Sequence, residues 1–94
     1  PIPRFSIKPR FVSIEPLLHE LSEQDIRSAV EYKLNDWIII GAETGRRKGK
    51  VIPEKRWVDD IADKAKKNGI PVYMKESLRE LMGDDFRQEF PWEV

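Results

Sequence analysis

Residues 37–45 read Trp37-Ile38-Ile39-Ile40-Gly41-Ala42-Glu43-Thr44-Gly45, and the fold is decided here. Four bulky apolar residues in a row suit a short strand buried on both faces, as in a parallel sheet covered by helices. The run stops at Gly41, and a carboxylate and a second glycine follow at once. In parallel sheets such a stop is the carboxyl end of a strand, where α/β folds keep their sites.

Upstream, Arg10-Phe11-Val12-Ser13-Ile14 reads as another short strand. It halts at Glu15, which the following Pro16 biases away from helical geometry. Ser22 is a good helix N-cap, with Asp25 at the third helical position and Leu21 and Ile26 placed as a hydrophobic staple. Ile26, Ala29, Val30 and Leu34 then recur at helical spacing, and Asn35 is the expected stop. Residues 1–9 hold three prolines and read as an extended lead-in or an edge, because proline removes ladder donors.

Downstream, residues 45–51 form a loop with a basic run, Arg46, Arg47, Lys48 and Lys50. Pro53 is expected at the first position of the next helix, where its missing N–H does no harm. Trp57, Val58, Ile61, Ala62 and Ala65 make one apolar stripe. The early acids Asp59, Asp60 and Asp63 and the late bases Lys64, Lys66 and Lys67 suit the helix dipole. Gly69 and Pro71 end that helix. Val72-Tyr73-Met74 is a third strand, residues 76–82 are a short helix stopped by Gly83, and Phe86, Phe90 and Trp92 mark a packed tail, with Trp92 expected against the sheet or the second helix rather than as an anchor facing a partner.

The order strand, helix, strand, helix, strand, short helix gives an α/β class with three parallel strands and right-handed crossovers. Its 94 residues suffice for a single small domain. Three parallel strands leave both outer edges unpaired and one face short of cover. Such edges fit a segment of a larger βα barrel, which would pair them with strands outside these residues. The alternative is a self-contained module that oligomerises through its sheet edges.

Seventeen basic and seventeen acidic side chains cancel, so the chain exerts no global pull on nucleic acid or anionic membrane. There is no cysteine and one histidine. That excludes disulfides, thiolate ligands and multi-histidine metal sites from these residues, and it fits a reducing, cytoplasmic setting. No apolar run reaches the length of a membrane span.

Parallel strands place the residues that follow them on one rim. Glu15, Glu43 and Lys75 are thereby brought together, two carboxylates and an ammonium that could bind hydroxyls, hold a cation or act as acid and base. The ordinary alternative is that these charges solvate a loop rim and pair with one another. Gly41, Thr44 and Gly45 belong to a turn that is neither a P-loop nor a dinucleotide fingerprint, since the required glycine and lysine spacings are absent. The basic run, Arg46 and Arg47 foremost, could contact an anionic substrate or nucleic acid, though charged loops are usually only solvated.

Residues 10–18 (RFVSIEPLL), 36–45 (DWIIIGAETG) and 69–77 (GIPVYMKES), with the tail RQEFPW at 87–92, occur here in order. This set resembles the C-terminal part of an uncharacterised bacterial and phage protein family related to radical SAM barrels. The resemblance implies an iron–sulfur cluster and S-adenosylmethionine in the parent protein, with the cluster's cysteines upstream and this segment inactive alone. It also implies that Glu15 contacts the SAM ribose. Ile39 and Gly41 match a strand pattern found beside the adenine; Trp37 replaces its leading glycine, and Glu43 falls one residue early, with Thr44 at the pattern's position. Lys75 matches the MK segment, for which the resemblance implies no role.

Overall fold

The computed structural model describes residues 10–30, 35–46 and 48–93. Its elements follow the order β1 (Phe11–Ile14), α1 (Glu23–Val30), β2 (Trp37–Ile40), α2 (Lys55–Lys67) and β3 (Val72–Met74). A 3₁₀ turn (Glu76–Leu78) leads into the short helix α3 (Arg79–Met82), and two more 3₁₀ turns punctuate the tail. The sheet is open, parallel and ordered β1-β2-β3.

Register explains the core. Val12 lies beside Ile38, which lies beside Val72; Ile14, Ile40 and Met74 form the next row. These side chains share one face, and Ile38, Ile40, Val72 and Met74 are essentially sealed from solvent. Ile26 and Val30 of α1 and Val58, Ile61, Ala62 and Ala65 of α2 cover them, joined by Leu17, Ile70, Leu78 and Met82. The core is aliphatic, with no buried polar or charged side chain among the described residues.

The local signals act as their chemistry dictates. The Asp25 backbone N–H donates to Ser22 Oγ at 3.0 Å, the expected N-cap bond. Asn35 Nδ2 donates to the Ala29 carbonyl, closing off part of the α1 end. Gly69 takes φ 69° and lets the Ile70 N–H reach back to the Ala65 carbonyl, so the α2 end is satisfied and the chain turns into β3. Leu34 and the proline-rich segment 1–9 lie outside the described residues.

Four expectations are corrected. Pro53 is not the first helical residue: Glu54 is the N-cap of α2, and the buried Pro53 precedes it. The first turn of α2 accordingly holds no acid, and Asp59 instead pairs with Lys55 one turn earlier at 3.0 Å. Strand β2 is buried on one face rather than two. Trp37 and Ile39 point away from the helices and are only half-buried, because no second helical layer covers that side.

What covers it is aromatic. Phe11, Trp37 and Tyr73 project from the three strands, and Phe90 and Trp92 of the tail lie against Trp37, each with ring centres 5.7 Å from it. The indole N–H of Trp37 donates to the Glu89 carbonyl at 2.7 Å. The tail also runs antiparallel beside β3, bridging Tyr73 to Gln88. So the edge of β3 is paired, contrary to the expectation of two open edges. No described residue pairs with the outer edge of β1.

Candidate functional site

The rim formed by the carboxyl ends of β1, β2 and β3 brings Glu15, Gly41 and Lys75 into contact, as the topology requires. Lys75 Nζ lies 2.7 Å from Glu15 Oε1. The pair passes directly over Gly41. A Cβ at that position would stand 3.2 Å from Glu15 Cγ and Cδ and 3.3 Å from Lys75 Cδ. Glycine at 41 is therefore a matter of space: the strand ends flat so that the two side chains can meet above it.

The backbone under the pair is fully engaged. The Gly41 N–H donates to the Ile14 carbonyl, and its own carbonyl accepts from the Leu17 N–H at 2.8 Å. The Glu15-Pro16 peptide is cis. The ion pair itself is half-exposed, with 48% of the Lys75 side chain and 29% of Glu15 accessible. Pairs of this kind contribute only about 0–1 kcal/mol to folding. It can thus open for a ligand at little cost in stability.

A concave site of about 470 Å³ adjoins the pair, lined by Glu15, Glu43, Thr44, Lys75, Glu76 and Ser77 among others. Ser77 was not a candidate from sequence. Its hydroxyl accepts from the Ala42 N–H at 3.0 Å and so fixes the turn that leaves β2. The signal for it was modest, a hydroxyl three residues past a strand end in the turn that follows β3. A second hollow of about 430 Å³ shares Ala42, Glu43 and Ser77 and is also lined by Val51, Pro53, Leu78 and Leu81.

Glu43 sits at the mouth but is turned to another task as well. Its Oε1 accepts from the Val51 N–H at 3.2 Å, which closes the loop that carries the basic run. Lys50 Nζ donates back to the Gly45 carbonyl at 3.1 Å, so one cation of that run serves the loop. Arg46 and Lys48 are exposed, and Arg47 lies outside the described residues. Thr44 lines the cavity and is exposed. At the back of the rim, Arg79 binds Glu76 through two contacts of 2.8 Å, holding that carboxyl below its ordinary range.

This arrangement can accept hydrogen bonds from hydroxyl or ammonium groups at Glu15 and Glu43 and can offer one ammonium, Lys75, to a carboxylate. Among the described residues, no group of three or more His, Cys, Asp or Glu side chains is placed to hold a metal ion. No helix among them is long and apolar enough to cross a membrane.

A family model described as a protein of unknown function, DUF5131, matches residues 2–83. The chain belongs to the DUF5131 family. No curated protein and no solved structure matches it. Membership agrees with the resemblance to an uncharacterised family. The matched span holds the whole rim, Glu15, Gly41, Glu43, Lys75 and Ser77, and stops short of residues 87–92, which pack on the aromatic face.

Proposed function

We propose that this DUF5131 chain forms one wall of a small-molecule pocket at the carboxyl rim of its sheet, within a parent protein related to radical SAM barrels. The observation that carries this reading is the Glu15–Lys75 pair crossing Gly41 beside the rim cavity. A charged pair that adds little to folding, held over a glycine at the functional end of a parallel sheet, is the arrangement expected of a binding rim.

The implied cofactors differ in fit. With no cysteine, these residues offer no thiolate for an iron–sulfur cluster and do not fit that group. S-adenosylmethionine fits better, because Glu15 and Glu43 present acceptors for ribose hydroxyls and Lys75 an ammonium for a carboxylate. When bound in a complete enzyme, that cofactor supplies the reactive carbon group. Glu15, Glu43 and Lys75 bind and orient; they perform no catalytic step alone.

The test uses the full-length parent protein. Equilibrium dialysis with S-adenosylmethionine should show about tenfold weaker binding for Glu15→Gln, the loss expected for one hydrogen bond to a charged acceptor. Unchanged binding would reject the ribose role. A parent reading frame without a three-cysteine cluster upstream would reject the radical SAM relation while leaving a rim pocket for another ligand.

A second reading is a βα interaction module that pairs through a sheet edge. It is favoured by the outer edge of β1, where Phe11 is 55% exposed and no described residue adds a strand. Sedimentation of the isolated chain separates the two, because only this reading requires a stable assembly without ligand.

A further inference from the structure

The β-ladder accounts for one side of β3 and leaves Val72 and Met74 facing outward, each with an N–H and a carbonyl. All four groups are taken by residues 87–89. The Met74 N–H donates to the Arg87 carbonyl at 2.9 Å, and the Val72 carbonyl accepts from the Glu89 N–H at 2.9 Å. The other two are met by side chains. Val72 N–H donates to Glu89 Oε1 at 2.8 Å, and Gln88 Nε2 donates to the Met74 carbonyl at 2.9 Å.

A true neighbouring strand would satisfy these groups with backbone alone and would expose a fresh row of its own. Here half of the bonds come from side chains, and the segment then turns away into the aromatic cluster. Its anchor is distant in sequence: the Glu89 carbonyl accepts from Trp37 Nε1, and Arg87 Nη2 donates to the Ala62 carbonyl at 2.8 Å. The segment is thus tied to β2 and to α2 as well as to β3.

We propose that residues 87–89 are a strand surrogate that terminates the sheet at β3, blocking strand addition and edge-to-edge association there. Open parallel edges recruit other chains unless they are covered. The surrogate covers this one without creating another, and it confines any strand pairing by the chain to β1. This inference does not depend on the rim pocket.

Glu89→Pro tests it. Proline removes both the N–H that binds the Val72 carbonyl and the carboxylate that binds the Val72 N–H. Amide hydrogen exchange at Val72 and Met74 should accelerate about tenfold or more, while Ile38 and Ile40 stay protected. Sedimentation should show a weight-average mass that rises with concentration beyond that of the unaltered chain. Glu89→Gln keeps both acceptor and N–H and should behave as the unaltered chain. Should Glu89→Pro prove unfolded by circular dichroism, the paired change Gln88→Ala and Glu89→Ala reads the same exchange and mass. A folded variant with a faster-exchanging edge but no added association would overturn the proposal, as would fast exchange of Val72 and Met74 in the unaltered chain.

Discussion

The two faces of this sheet solve the same problem with different materials. One is aliphatic, interlocked with α1 and α2, and closed to water. The other is aromatic and covered only by a tail, so that Trp92 remains 66% exposed while stacked on Phe90. The first face draws its stability from burial alone. The second relies on ring contacts and on the hydrogen bonds by which residues 87–89 are tied to Trp37, β3 and the Ala62 carbonyl. The lesson is that three short strands need only one helical layer, provided that the opposite face can recruit large rings from elsewhere in the chain.

The sharpest way to break this comparison is to truncate both faces. Ile40→Ala empties the sealed side and should cost about 2–5 kcal/mol, read as a lower urea midpoint at unchanged slope. Trp37→Phe keeps a ring on the other side but removes its bond to Glu89, and should cost only about 1 kcal/mol. If the second change cost as much as the first, the aromatic face would be a true second core. Trp92→Ala should cost less than about 1 kcal/mol, since most of its surface is already in water.

Charges sharpen the contrast further, because their effects are smaller again. Lys75→Met should alter stability by about 0–1 kcal/mol in the same unfolding measurement. A larger loss would make the rim pair a structural strut. Acid should act at the surface turns. Arg79 lowers the pKa of Glu76, and Lys55 lowers that of Asp85, in each case through a direct hydrogen bond to the carboxylate. Both groups therefore bind protons more weakly folded than unfolded, and their contribution is present at neutral pH and lost as pH falls through the acid range. Urea titrations at stepped pH should show a slightly shallower acid limb for Glu76→Gln.

Much of the sealed face could be read from the chain, and little of the other. Ile38 and Ile40, the Ser22 cap and Gly69 are local signals whose meaning does not depend on distant residues. The meeting of Glu15 and Lys75 followed from topology, since parallel strands align their ends. Pro53 misled because a proline that opens a helix and one that precedes its cap look alike in sequence. Gln88 and Glu89 gave no sign of their role. Their bonds to β3 span 14 and 17 residues and depend on where the tail falls in space. Ser77 was missed for a similar reason, because its partner Ala42 lies 35 residues away.

Trp37 carries a practical consequence. Its indole touches Phe11, Tyr73, Phe90 and Trp92 and is hydrogen-bonded to the segment that caps β3. The chain is therefore built with its own optical gauge. Close coupling between the Trp37 and Trp92 rings should give a near-ultraviolet dichroic signal and quenched emission. Both should change when the tail lifts, before the aliphatic core opens. Stopped-flow fluorescence can then time the release of one short segment in an unlabelled protein.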